Sequence, residues 1–167
     1  MRLRSVVAPC AMLILLSCRH AGGAPAPGSP APAFSLKDLT GGEVRLSDLK
    51  GKVVLLNFST TWCPHCRRAV PALNRIAAAY KGKEFALYSI HIQESRKKVS
   101  SFSEKYDVSY PILLDEDGKV AGAYGVRGIP SRTIIGADGK VVCRDCADFE
   151  SELARLLGPV APAPAGE

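Results

Sequence analysis

No stretch of this 167-residue chain reaches the ~18–20 consecutive apolar residues that a membrane-spanning helix needs, which excludes a polytopic membrane protein. Dense basic runs are absent too. Lys and Arg number 22 against 16 Asp and Glu, a formal charge of +6, and so mild an excess gives no case for nucleic-acid binding. No internal repeat is evident, and tryptophan occurs once, at Trp62. What is present is a hydrophobic share of 47% beside 23% charged residues. That mixture buries a core and is unlike a disordered or collagen-like chain.

Composition divides the chain into four parts. Residues 1–17 hold Arg2 and Arg4, an apolar run from Val6 to Leu16, and small Ser17, the layout of a secretory signal peptide. The run is too short to span a bilayer and is interrupted by Pro9. Losing Arg2 and Arg4 leaves 20 basic against 16 acidic residues, a mature charge of +4. Residues 18–33 are rich in Ala, Gly and Pro and read as a flexible tether, too poor in large apolar groups to pack. Proline-rich chain extends ~3.1 Å per residue, so such an arm holds a domain tens of ångströms from a membrane. Residues 158–167 share this character and read as a disordered tail. The folded domain is then 34–157.

Inside that domain, Phe34-Ser35-Leu36 and Val44-Arg45-Leu46 flank Thr40-Gly41-Gly42 as a short hairpin. Val53 to Phe58 is a continuous apolar run, as expected for a strand buried on both faces. A helical pattern through Val70, Leu73 and Ile76 runs to Tyr80, and Phe85 to Ile92 is a second strand. Ser95 caps a helix over 96–106, Pro111 to Leu114 is a strand, and Val120 to Tyr124 a short helix. Gly136-Ala137-Asp138-Gly139 joins Arg132–Ile135 to Lys140–Cys143 as an antiparallel hairpin, and Phe149 to Leu157 closes with an amphipathic helix. This order requires an α/β domain whose sheet has helices on both faces and an antiparallel edge.

The chemistry concentrates in Trp62-Cys63-Pro64-His65-Cys66, where the buried strand gives way to a helix. Cysteines at i and i+3 on a first helical turn lie on one side and can close a small disulfide ring. Unpaired N–H groups and the positive helix end favour a thiolate at Cys63, and an imidazolium at His65 would lower its pKa further. Pro64 sits where a missing N–H does no harm. Such a pair suits thiol–disulfide exchange, with Cys63 attacking and Cys66 resolving. A structural bridge would close almost no loop, and export disfavours a zinc site at reduced thiols. Cys66 and Cys143 also lie too far apart in sequence for zinc-ribbon spacing.

At these residues the chain resembles the thioredoxin superfamily, and within it the exported or membrane-tethered thiol–disulfide oxidoreductases of the TlpA/ResA type. The resemblance runs from about Ala33 to Leu157. It rests on Ser47-Asp48-Leu49-Lys50-Gly51-Lys52, on Trp62-Cys63-Pro64-His65-Cys66, and on Gly128-Ile129-Pro130 before a strand. It implies a thioredoxin-like fold, a central mixed sheet with helices on both faces and an N-terminal hairpin. It implies a cis Ile129–Pro130 bond, and an Ile129 backbone that pairs with an extended substrate segment. The partners implied are exported protein thiols and disulfides and an upstream redox protein. No cofactor or metal is implied. The chain is expected to act as a monomer in the bacterial envelope.

Two positions depart from the family. Asn57 stands six residues before Cys63, where many thioredoxins have aspartate, and Ala69 three after Cys66, where haem-maturation members often carry glutamate. Either carboxylate is thought to handle the proton of the resolving thiol, and Asn57 cannot act as a base. Leu15-Leu16-Ser17-Cys18 is similar to the bacterial lipobox, which implies a lipid on Cys18 and a membrane anchor; plain secretion or an uncleaved anchor is the alternative. Arg19 follows where some inner-membrane lipoproteins carry aspartate.

Cys143-Arg144-Asp145-Cys146 has three readings: a stabilising disulfide, an auxiliary redox pair, or free or metal-binding thiols. Along an extended strand these residues would sit ~10 Å apart, so a bond requires the strand to stop or turn near Cys143. Oxidation of the pair is the expected state after export. His91 is expected to be a satisfied buried histidine. The expected activity is disulfide exchange leaning to reductase. A peroxiredoxin-like peroxidase built on Thr60 and Cys63 is a second reading, though Leu56 replaces the expected proline. A copper- or haem-delivery module using Cys63, Cys66 and His91 is a third.

Overall fold

The computed structural model describes residues 23–159. The expectations for the signal segment 1–17, for lipidated Cys18 and for most of the tail lie outside the described residues. Among the described residues no helix is long and apolar enough to cross a membrane.

Seven strands form one mixed sheet: β1 (Ser35–Asp38), β2 (Glu43–Arg45), β3 (Val53–Ser59), β4 (Phe85–Ile92), β5 (Ile112–Asp115), β6 (Ser131–Ile135) and β7 (Val141–Arg144). Their spatial order is β2-β1-β5-β4-β3-β6-β7. β3, β4 and β5 run parallel, and every other pairing is antiparallel. Four helices follow in sequence: α1 (Pro64–Ala79), α2 (Arg96–Lys105), α3 (Lys119–Ala123) and α4 (Phe149–Leu157). Element for element this is the expected α/β sandwich. One addition is a 3-10 turn at Leu46–Leu49, which takes in Leu46, the last residue expected in the second hairpin strand.

β3 reads as an unbroken apolar run because both its faces are covered. Val54, Leu56 and Phe58 pack with Ile90, Leu113 and Tyr124 on the face of α3. Val53 and Leu55 pack with Leu73 and Ile76 of α1 and Leu153 of α4 on the other. Residues 53, 55, 57 and 59 therefore share the α1 face, which matters below.

Within the segment expected as a tether, residues 28–32 are bonded to the domain. Gly28 N–H donates to Val141 O at 2.8 Å, Val141 N–H to Ser29 O at 2.9 Å, and Ala31 N–H to Gly139 O at 3.0 Å. Tyr124 adds a hydroxyl bond to Pro32 O at 2.9 Å, and Ala31 packs against the α3-side core. The ordered unit thus begins before residue 34. β7 would otherwise end the sheet with unpaired backbone groups, and main-chain hydrogen bonds ask nothing of side-chain size. Judging that segment by its small side chains missed this.

Candidate active site

Cys63 is the N-cap of α1, and Pro64 occupies the first helical turn. Its φ and ψ are extended, −78° and 120°, while its sulfur accepts the Cys66 N–H at 3.4 Å. The helix start thus turns its unpaired donors onto one sulfur. On the other side the Cys63 thiol donates to Ile129 O at 3.9 Å. The Ile129–Pro130 bond is cis, and β6 begins at the next residue. Both cysteines are free thiols. The expected residues Trp62, Cys63, Pro64, Cys66, Ile129 and Pro130 are brought together at one end of the sheet. Trp62 is 60% exposed, the one large apolar side chain left open to solvent among the described residues.

The two thiols are driven apart. Burial raises the Cys63 pKa, but the Cys66 thiol, the N–H groups of Cys66 and His65 and the charge of Arg67 leave it below the ordinary value. For Cys66, only 3% exposed, burial dominates over hydrogen bonds from Ser59 and Thr60, and the neighbouring Cys63 pushes it further up. His65 enters differently from the sequence expectation. Its backbone N–H faces the sulfur, while its exposed ring accepts from the Arg68 guanidinium at 3.0 Å. The nearby cation is Arg67, whose guanidinium also donates to Thr61 O and Trp62 O at 3.0 Å each.

His91 is 1% exposed, with Nδ1 3.2 Å from Glu94 and its ring against Phe102. It is a satisfied buried histidine, as expected. Among the described residues no cluster of three His, Cys, Asp or Glu could hold a metal ion. Asn57 is buried, and its amide donates to Ser89 Oγ at 3.2 Å.

Three features escaped the sequence. Glu94 is a buried carboxylate that accepts the Thr61 N–H at 2.7 Å, the Thr61 hydroxyl at 2.6 Å and Lys98 Nζ at 2.7 Å. Burial raises its pKa, yet Lys98, Thr61 and His91 hold it below the usual carboxylate value. It anchors the turn that presents Trp62 and Cys63. Arg132 and Tyr110 lie on the Cys66 side of the sheet and interact electrostatically with that thiol. Their signal is invisible without knowing that β6 lies beside β3.

The second cysteine pair forms a disulfide, with Cα atoms 5.9 Å apart. β7 ends at Arg144, and Asp145 takes a left-handed φ of 49°, which is the turn the bond requires.

A family model described as AhpC/TSA matches residues 27–144, more than half of the chain. The chain belongs to the AhpC/TSA family. It is 38% identical over 115 residues to a thiol-disulfide oxidoreductase ResA of Bacillus cereus, covering 69% of this chain and 66% of that protein. A ResA of Geobacillus thermodenitrificans is 39% identical over 114 residues, with 68% and 66% covered. The match therefore spans just under two thirds of these relatives. A Chlorobium tepidum structure assigned as a DsbE thiol:disulfide interchange protein superposes with a TM-score of 0.76 at 30% identity, covering 81% of this chain and all of the other. The start of the family match at residue 27 agrees with the strap along β7.

Proposed function

We propose that this AhpC/TSA-family protein is a thiol–disulfide oxidoreductase acting on exported proteins, in the reducing direction. The observation that carries this is the Cys63 sulfur, held at a helix start between the Cys66 N–H and the Ile129 carbonyl of a cis-proline loop. An ionised Cys63 attacks one sulfur of a substrate disulfide, that S–S bond breaks, and the departing thiolate takes a proton from solvent. Cys66 then loses its proton and attacks Cys63 Sγ, releasing the second substrate thiol and leaving a Cys63–Cys66 disulfide. Two electrons have passed to the substrate, and a dithiol protein upstream restores the pair. Exposed Trp62 and the Ile129 backbone supply a surface for an extended peptide.

In this reading the protein is a monomer tethered to the envelope through a lipid on Cys18. The names of its relatives support the chemistry; the sequence of residues 1–18 supports the location. The test is the redox potential of the Cys63/Cys66 couple together with reduction of a protein disulfide such as insulin. Cys66→Ser should accumulate mixed disulfides with envelope proteins, and absence of both reduction and trapping rejects the reading. Peroxidase activity keeps one supporting observation, since the Thr60 hydroxyl, three residues before Cys63, is buried without a hydrogen-bond partner. Consumption of peroxide by the reduced protein without any disulfide substrate would favour it.

A further inference from the structure

Arg132 stands two residues after the cis proline and pairs with Asn57 across the β3–β6 ladder. Directly opposite residues on neighbouring strands point to one face. That face is covered by α1, because Leu55 and Ile134, two residues along the same strands, pack with Leu73 and Ile76. A half-buried guanidinium therefore lies on the face of the sheet that α1 and α4 cover, the side to which Cys66 belongs. It forms no ion pair among the described residues. Its Nε is buried without a hydrogen-bond partner, and so is the Asn57 Oδ1.

The guanidinium is held by other means. Its central carbon lies 4.5 Å from the centre of the Phe149 ring, at the start of α4. Its backbone N–H donates to Asp145 Oδ1 at 2.8 Å, and Asp145 N–H donates back to Arg132 O at 2.7 Å. Asp145 is the turn residue spanned by the Cys143–Cys146 bond. The second disulfide thus shapes the turn that fixes Arg132.

We propose that Arg132 is a fixed cation that stabilises the Cys66 thiolate when Cys66 resolves the mixed disulfide. This rests on the exchange reading above. Resolution creates an anion in a buried place, and either a base or a cation can lower that cost. A base removes the proton; a cation stabilises what remains, and the proton passes to solvent. The neutral residues at positions 57 and 69 then make sense together with Arg132. An aspartate at 57 would lie opposite the guanidinium and pair with it, cancelling the charge that Cys66 needs. Ala69 leaves the α1 side equally free of negative charge.

The groups around this pair are few. Cys63 on α1 raises the Cys66 pKa, and Ser59 and Thr60 on the β3 side lower it through hydrogen bonds. Burial destabilises the charged form of Arg132, while Cys66, Asp145, Glu150 and Tyr110 favour it. Arg67 bears on Cys63.

The experiment uses the full chain in a Cys63→Ser background, following alkylation of Cys66 against pH by peptide-level mass spectrometry. Arg132→Met keeps length and apolar contact with Phe149; Arg132→Lys keeps the charge. With Met, the Cys66 thiolate population near neutral pH should fall on the order of tenfold, equivalent to about one pKa unit. Release of a preformed Cys63 mixed disulfide, measured with Cys63 present, should slow by a similar factor. Alkylation of Cys63 in a Cys66→Ser background should stay within about twofold, because the N–H groups of residues 65 and 66 and the charge of Arg67, which favour that thiolate, are untouched by the Arg132 change. Lys should restore most of the loss, and Asn57→Asp should reproduce the Met defect. A folded Arg132→Met protein whose Cys66 titrates as the parent overturns the proposal, as does equal slowing by Met and Lys without a titration shift. The titration is read on the thiol and needs no turnover. A parent that reduces no disulfide would reject the exchange reading and leave the Arg132 measurement standing.

Discussion

The chain carries the Cys-x-x-Cys spacing twice, and the two copies end in opposite states. Cys63 and Cys66 are free thiols; Cys143 and Cys146 are bonded. The first copy straddles a strand-to-helix junction, where Cys63 caps the helix and receives an N–H from Cys66. The second sits at the end of an edge-side strand, with a left-handed Asp145 in its ring. The same spacing therefore serves two different local geometries. What differs is whether backbone donors converge on a sulfur.

The sharpest way to break this comparison is to remove one sulfur from each copy. Cys63→Ser should reduce disulfide exchange by more than about a thousandfold, because no other group can form the covalent intermediate. Insulin reduction measures this. Replacing Cys143 and Cys146 together by serine should leave exchange within about tenfold of the parent. It should also cost no more than about 2 kcal/mol in denaturant unfolding, since a ring this small restricts the unfolded chain least. A second copy that proved as costly as the first would erase the distinction.

A smaller effect tests the support beneath the first copy. Glu94→Gln should cost about 1–3 kcal/mol, because the buried carboxylate holds both the Thr61 N–H and its hydroxyl. The Glu94 pKa is lowered on folding, so its contribution is complete above the unfolded value near 4.5 and is lost as pH falls through the folded value. Unfolding free energies measured from pH 6 to pH 3 should fall less steeply for the Gln variant. Among the described residues the second copy has no such buried acid hydrogen-bonded beneath it, so its loss should show no comparable pH signature.

The smallest effect is spectroscopic. Trp62 is the single tryptophan of the chain and precedes Cys63, so its emission should change when Cys63 and Cys66 are oxidised. Reduction of Cys143–Cys146 alone should leave it unchanged.

Much of this was legible before any coordinates. β3 announced itself by six successive apolar or neutral residues, and α1 by Val70, Leu73 and Ile76 at helical spacing. Cys63, Cys66 and Pro130 stood out because their residue types and local context are unusual in combination. The strap at residues 28–31 was not legible, because its bonds to β7 are made by backbone, which every sequence carries. Glu94 and Arg132 were not legible either. Each looks like an ordinary surface charge until the strands are ordered, and only then does Glu94 meet Thr61 and Arg132 meet Asn57.

Local sequence already marked the strands and the four α-helices, though not the turn at Leu46–Leu49, and it marked the thiol that caps a helix, because propensity, capping and hydrophobic period are local properties. Arg67 follows Cys66 directly in the chain, but the placing of Arg132 on the Cys66 side came only from the fold, since it depends on strands more than 70 residues apart becoming neighbours. Coulomb energy varies inversely with separation and is strongest in a low-dielectric interior, so the tuning of this site depends on which groups packing brings close to the sulfurs.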